Sequence, residues 1–197
     1  ASMGAVVAHH TTPLGAVLRE LRAAEQRAKS CGRDAFSIAL MKRGGGTTQL
    51  TCGFGMLAHV DAATVQTADD TPLGVLRALR DYLEQSRRAA YHASQWLPGL
   101  PASSEGLDRE RYQKMLAQNL AWQMNRQKSP TSDLTAADVT ALAARVTDLA
   151  LAEVLRREGL SGTAAQTVSA TELIGHMLGH MEFLARPERR REGSTGR

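Results

Sequence analysis

The chain of 197 residues is 43% hydrophobic and 22% charged, a composition that argues against wholesale disorder and allows one large or two small cores. Lysine and arginine exceed aspartate and glutamate by only 24 to 20, and Cys31 and Cys52 form no CxxC pair, so neither a disulfide scaffold nor a thiolate metal site is indicated. No apolar stretch approaches the length of a membrane span, and we expect a cytoplasmic protein without a membrane role.

The sequence begins with a predicted strand and helix. The uninterrupted apolar run at residues 3–8 is typical of a strand that is buried on both faces. Thr12 and Pro13 then predict a helix start, with Thr12 as the capping residue, and the helix is expected to reach about Lys29. Its apolar positions recur at helical spacing: Leu14, Val17, Leu18 and Leu21.

A second strand and a hairpin follow. Alternating apolar residues at 35–41 predict the strand, which turns at Gly44, Gly45 and Gly46 into a third strand at 48–54. A first strand buried on both faces needs neighbours that these elements do not supply. We therefore expect the sheet to be completed by residues upstream or on another chain, which makes this chain a fragment or half of a split protein.

From Thr71 onward every long segment has helical periodicity, which predicts an α+β chain in two parts. The predicted division is a partial palm at 1–56, a linker at 57–70, an all-α helical domain of four helices at 71–186, and a basic flexible tail at 187–197. The first of these helices is predicted to start at Thr71-Pro72 and to have an apolar face of Leu76, Leu79 and Leu83, and a break follows at 98–101. The next helix has apolar residues four positions apart: Tyr112, Leu116, Leu120 and Met124. Capping boxes at Thr135/Asp138 and Ser169/Glu172 predict the starts of the last two helices, and Gly159 predicts the end of the first of these two.

The most informative string lies at the end of the first helix. Lys29 is in the last helical turn, Gly32 is a turn residue, and Arg33 comes just before the second strand, so two cations are held close together. A lysine at this position is also favoured by the helix dipole alone, so a purely structural explanation stays open.

Three strings in this region resemble a known family. The string AKSCGRD at 28–34 resembles the AKxxGR(N/D) signature of GGDEF-type nucleotide cyclase palms. The strings SMGAVVAHHTTPL at 2–14, AEQRAK at 24–29 and FSIALMKRGG at 36–45 resemble the large polymerase/cyclase-like subunit of type III CRISPR effector complexes. The histidines after the first strand and the Lys-Arg-Gly turn are most similar to the Cmr-type (III-B) branch. The resemblance covers about residues 2–46.

The resemblance implies a partial ferredoxin-like palm that helps to bind ATP for cyclic oligoadenylate synthesis. Lys29 and Arg33 would contact the triphosphate, and the Ser2 hydroxyl would approach the base; an ordinary strand serine is an equal alternative. The family's Gly-Gly-Asp-Asp metal turn and its nuclease domain are missing from this sequence, and we interpret Asp69 and Asp70 as loop charge before a helix. We therefore predict no catalytic or metal-binding residue here, Mg or Mn supplied by residues outside the chain, and no activity of the chain alone.

The resemblance also implies partners. The helical domain would dock the small helical subunit and the subunit that caps the crRNA 5′ end, and crRNA and target RNA would be reached through the complex. Two alternatives stay open: a fragment of a GGDEF-type diguanylate cyclase, and a helical adaptor for which the Lys29 and Arg33 pair is incidental.

Other chemistry-bearing residues are given structural interpretations. Glu172, His176 and His180 share one helical face that suits a transition metal, but the helix is apolar nearly all round, which favours packing or interface histidines. His9 and His10 are interpreted mainly as solvated loop residues. The aromatic residues are expected to be core anchors rather than RNA-stacking platforms: Trp96, Trp122 and Tyr112.

Overall fold

The computed structural model describes residues 1–55, 71–103, 106, 108–160 and 168–186, and over these the chain is α+β, as predicted. A short 3-10 helix, Leu97–Gly99, follows the third α-helix. The predicted linker at 57–70, with Asp69 and Asp70, and the tail at 187–197 lie outside the described residues. The described elements in chain order are β1 (Ser2–Ala8), α1 (Leu14–Ser30), β2 (Ala35–Met41), β3 (Thr47–Gly53), α2 (Pro72–Gln85), α3 (Arg88–Trp96), α4 (Arg109–Gln127), α5 (Ala136–Glu158) and α6 (Ala170–Leu184).

The strands form one mixed sheet in the order β1-β2-β3. The β1 and β2 strands are parallel, with Ser2 opposite Ala35, and α1 is the crossover between them. The predicted hairpin is present: β2 and β3 are antiparallel, and the turn is closed by Gly45 and Gly46 with φ of 86° and 84°. These positive φ values are readily adopted only by glycine. The strand, helix, strand and hairpin therefore follow the predicted order.

The sheet has two differently covered faces. On one face α1 packs closely on β1, and a Cβ added at Gly4 would lie 2.6 Å from the backbone nitrogen of Glu25. On the other face Phe36, Leu50 and Cys52 are at most 1% exposed and belong to the same hydrophobic cluster as the helices α2 to α6. The sheet and the helical part thus share a continuous core, while the predicted domain boundaries stay a prediction.

The first strand is less buried than its sequence predicts. The strand that is covered on both faces is β2, whereas β1 lies at the edge of the sheet and is half-buried, with Met3 43% exposed. Three leucines of α1 are also exposed, at 70%, 44% and 38%: Leu14, Leu18 and Leu21. Within the described residues β1 has a sheet neighbour on one side only, so these elements alone do not provide the predicted burial on both faces.

The start of α1 also differs from its prediction. Pro13 occupies the N-cap position, and no side chain caps the helix by a hydrogen bond, so Thr12 is not the capping residue. The Pro13 carbonyl instead accepts hydrogen bonds from the backbone nitrogens of Ala16 and Val17. A proline here fixes φ near its helical value without a side-chain cap.

The helical part contains five α-helices in the described residues, one more than predicted. The extra break falls at Ser86, whose φ of −130° ends α2 and whose hydroxyl oxygen accepts a hydrogen bond from the Ser129 nitrogen at 3.0 Å. A long-range bond of this kind is not visible in local periodicity. The predicted apolar face of α4 is confirmed, since four residues spaced four apart are at most 2% exposed: Tyr112, Leu116, Leu120 and Met124.

The helix starts of this part follow the sequence signals. The Thr71 side chain accepts from the Gly74 nitrogen at 3.1 Å. Complete capping boxes begin α5 and α6, and each satisfies two helix-terminal donors reciprocally: Thr135 with Asp138, and Ser169 with Glu172. Within the described residues, no helix combines the length and apolarity that a membrane crossing requires.

Candidate functional site

The segment between α1 and β2 has an unusual backbone. After the C-cap residue Cys31, Gly32 has φ of 86° and Arg33 has φ of 62°. Arg33 is the one non-glycine residue with positive φ in the described part of the chain. For an L-residue this conformation costs roughly 1–2 kcal/mol, and such strain persists only where the surroundings impose it. We call residues 29–34 the Lys29–Arg33 turn.

The turn is fixed by bonds from three directions. The Ser2 hydroxyl donates to the Arg33 carbonyl at 2.9 Å, and the Phe54 nitrogen donates to the Asp34 carbonyl at 2.9 Å. From α5, a guanidinium nitrogen of Arg156 donates to the Cys31 carbonyl. The three bonds come from β1, from the residue after β3 and from the helical part, so the strained backbone is supported from each neighbouring element.

The two predicted phosphate-binding cations differ in their present partners. Arg33 is exposed, and its guanidinium has no hydrogen bond or ion pair with any described residue. Lys29 Nζ lies 2.7 Å from Glu25 Oε1 in a half-exposed ion pair. Exposed pairs of this kind contribute at most about 1 kcal/mol, so a phosphate can compete with Glu25 for the ammonium group. Both cations thus lie within residues 29–34, and the Arg33 guanidinium has no partner among the described residues.

Ser2 lies beside this turn, as the sequence predicts, but its hydroxyl hydrogen is used by the Arg33 carbonyl. Its oxygen still has lone pairs that accept hydrogen bonds, for example from an exocyclic amino group. The neighbouring Asp34 and Glu25 carboxylates moderate the local positive charge. Among the described residues, no group of three or more His, Cys, Asp or Glu side chains is arranged to hold a metal ion. This arrangement can bind and neutralise phosphate, whereas metal-assisted attack on an α-phosphate needs further carboxylates.

The end of α5 carries a buried ionic cluster that sequence reasoning missed. Glu153 is 3% exposed and accepts four hydrogen bonds, two from Arg156, one from Arg157 and one from the Gly53 nitrogen, at distances of 2.7 to 3.0 Å. Arg157 also donates to the Thr51 carbonyl at 2.6 Å. The signal in the sequence is a glutamate followed by arginines three and four positions later, which places all three on one helical face.

Hydrogen bonding decides the charge state of this cluster. Burial alone disfavours a charged Glu153, but the hydrogen bonds from Arg156 and Arg157 outweigh it and hold the pKa of the carboxyl below its ordinary value. The cluster is therefore an ionised carboxylate shared by two guanidinium groups. Arg156 extends from it to the Cys31 carbonyl after α1, and Arg157 to the Thr51 carbonyl of β3.

The paired histidines lie far from the Lys29–Arg33 turn. His9 and His10 follow the carboxyl end of β1, while Ser2 and Arg33 lie at its amino end, about 20 Å away along the strand. The two ring centroids lie 4.2 Å apart with the ring planes tilted by 37°, and His9 Nδ1 lies 2.8 Å from the Thr11 hydroxyl. Loss of hydration, His10 and Arg43 together lower the pKa of His9. The structure thus does not bring these histidines to the predicted phosphate contacts.

The histidines of α6 have separate environments. His180 is 1% exposed, and its Nδ1 lies 2.8 Å from the His176 carbonyl. His176 is exposed, and Glu172 is engaged in the capping box with Ser169. The packing interpretation is confirmed for His180, while His176 lies at the surface.

The aromatic residues also separate into different classes. Tyr112 is 2% exposed and its hydroxyl donates to the Pro101 carbonyl at 2.8 Å, and Trp96 packs partly buried against the core, as predicted. Trp122 is 57% exposed, with the Arg126 guanidinium 5.1 Å above its ring, so its prediction as a core anchor is wrong. It lies two positions after the buried Leu120 and therefore on the outer side of α4.

Comparisons of the chain with protein-family models, with curated proteins and with solved structures find no match. The family resemblance therefore rests on the residues at 2–46 themselves.

Proposed function

We propose that this chain is the C-terminal portion of the large polymerase/cyclase-like subunit of a type III CRISPR effector complex, closest to the Cmr-type branch. Its palm part contributes to ATP binding for cyclic oligoadenylate synthesis, and its helical part docks neighbouring subunits. The observation that carries the proposal is the Lys29–Arg33 turn. It combines the resembling motif with a strained Arg33 backbone and a guanidinium that has no partner in the part of the chain that the structure describes.

The geometry of the turn suits a triphosphate. A guanidinium offers paired donors that match two phosphate oxygens, and the Lys29 ammonium adds a mobile point charge. Both groups are on the surface, so binding does not require the chain to open. Together these cations hold and neutralise ATP, and Ser2 borders the same turn at the sheet edge.

The unshared edge of β1 supports an incomplete palm. In the described residues β1 pairs with β2 alone, so its other edge presents backbone donors and acceptors. Met3, Leu14 and Leu18 are exposed apolar side chains of β1 and of the helix that lies over it. The other half of the palm would pair with this edge, cover these side chains and supply the carboxylates that hold Mg or Mn beside the bound ATP.

The helical part has surface features typical of protein contacts. Trp122 and Tyr91 are 57% and 66% exposed, and Trp122 stacks with Arg126. Tryptophan, tyrosine and arginine are the residue types that most often dominate binding energy at interfaces. We assign this part to docking the small helical subunit and the subunit at the crRNA 5′ end, through which crRNA and target RNA are reached in the cytoplasm.

Affinity purification of the tagged chain from its source cells tests this assignment. We expect a co-purifying polypeptide segment with a Gly-Gly-Asp-Asp turn, together with small RNA and the two named subunits. Recovery of a GGDEF turn instead would identify a diguanylate cyclase fragment, and recovery of neither turn would leave a helical adaptor. A Trp122→Ser form should lose the helical partners but keep the palm partner, and Lys114→Ser, an exposed change on the same helix, serves as the matched control.

A further inference from the structure

One bond links the candidate site to the helical part of the chain. The Cys31 carbonyl lies at the C-terminus of α1, where the last carbonyls of a helix have no partner within the helix. Arg156, which lies 125 positions later in the sequence, donates one guanidinium nitrogen to this carbonyl. The other guanidinium nitrogens of Arg156 are held by Glu153 at 2.7 and 2.8 Å. The Arg156 guanidinium is therefore held by Glu153 on one side and by the Cys31 carbonyl on the other.

Two glycines make room for this guanidinium. A Cβ added at Gly53 would lie 2.8 Å from Arg156 Nε, and one added at Gly32 would lie 3.2 Å from Arg156 Nη1. Both distances are shorter than ordinary van der Waals contact, so a larger residue at either position would displace the side chain. The backbones of the turn and of β3 are thus fitted around Arg156.

We propose that Arg156 is a positioning residue for the Lys29–Arg33 turn. It fixes the Cys31 carbonyl and so holds Gly32 and Arg33 in the left-handed conformation that presents Arg33 and Lys29 to phosphate. The inference rests on the proposed function for its ligand, but its structural content does not depend on ATP. Because Arg156 belongs to α5, the shape of the phosphate-binding turn depends on how the helical part is seated against the sheet.

The neighbouring arginine provides a matched control. Arg157 shares Glu153 with Arg156 and is the more buried of the two, yet it donates to Thr51 in β3 and not to the turn. Replacing either arginine by lysine keeps the charge but removes the planar fork that spans two acceptors. If the cluster only stabilises the fold, the two replacements act alike; if Arg156 positions the turn, only Arg156→Lys changes the turn.

The first measurement is NMR of the full chain without nucleotide. Backbone chemical shifts and a strong intraresidue HN–Hα NOE of Arg33 report its positive φ. In Arg156→Lys we expect these signals to move toward values averaged over other conformations, and in Arg157→Lys we expect them to stay. An unchanged Arg33 signal in folded Arg156→Lys overturns the proposal. Should Arg157→Lys not fold, Glu158→Gln, an exposed change in the same helical turn, replaces it as the control.

The second measurement is the affinity of the same proteins for Mg·ATP, compared at equal folded fraction by circular dichroism. We expect Arg156→Lys to weaken binding by about tenfold, the equivalent of ~1.4 kcal/mol, and Arg157→Lys to weaken it less than about twofold. Equal losses in both variants contradict the positioning role. If the wild-type chain does not bind Mg·ATP while the Arg33 signals still depend on Arg156, the proposed function fails and the positioning of the turn stands.

Discussion

The Glu153 cluster allows a quantitative prediction for Glu153→Gln, a substitution that keeps size but removes charge. Glu153 accepts four hydrogen bonds, and glutamine replaces one acceptor oxygen by an NH2 group that faces guanidinium donors. Arg156 has a side chain 27% exposed and can regain hydration, whereas the Arg157 side chain is 10% exposed and stays buried without a counterion. Breaking a buried pair costs about 3–5 kcal/mol, and because Arg156 is partly exposed we expect a loss of ~3 kcal/mol.

Urea unfolding followed by circular dichroism measures this loss. With a typical urea slope, a loss of ~3 kcal/mol lowers the midpoint by about 1–2 M. Glu158→Gln is the matched control, because this exposed glutamate lies on the same helix and has no ion pair with a described residue. We expect the control to change stability by less than ~0.5 kcal/mol. A loss below ~1 kcal/mol for Glu153→Gln would show that Arg157 does not depend on this carboxylate.

Three further predictions concern the core, acid stability and the packing of α1. Tyr82→Phe should destabilise the chain by about 1–2 kcal/mol in urea, because the Tyr82 hydroxyl donates at 2.7 Å to the Met124 carbonyl near the end of α4. Stability should fall with acid below pH 6.5, since burial lowers the pKa of His180 in the folded chain and the unfolded chain takes up the proton first; His180→Asn should flatten this dependence below about pH 6.5. Gly4→Ala should cost about 1–3 kcal/mol because its Cβ meets the α1 backbone at 2.6 Å, and a thermal melt should show Gly44→Ala, which meets nothing within 4 Å, nearly unchanged.

Local signals in the sequence predicted the elements well. Alternation located β2 at 35–41, and the capping boxes at Thr135 and Ser169 fixed the starts of α5 and α6. These features depend on residues a few positions apart, so their physics is contained in the local sequence. The extra break at Ser86 depends on Ser129, and no local pattern contains that bond.

The candidate site was only partly predictable for the same reason. The motif placed Lys29, Arg33 and Ser2 together; in the structure Ser2 bonds to Arg33 at the amino ends of β1 and β2, and Lys29 lies in the last turn of α1. The strain at Arg33 and its support by Arg156 required the fold, because Arg156 reaches the turn from the other part of the chain. The burial of α1 was also predicted incorrectly. The apolar spacing of α1 predicted a covered face, yet Leu14 and Leu18 are exposed, and β1 beside them pairs on one edge only in the described residues.

The most direct test of the proposed ATP-binding role is conversion of radiolabelled ATP by the chain assembled with its native partners and matching target RNA. We expect cyclic oligoadenylate with the wild-type chain, and a strong loss with Lys29→Ala and with Arg33→Ala while assembly is preserved. Lys114→Ala, an exposed cation on α4 far along the sequence from the turn, should keep activity. Full activity in both turn variants, or no cyclic product in a correctly assembled complex, would contradict the assignment of this turn to ATP.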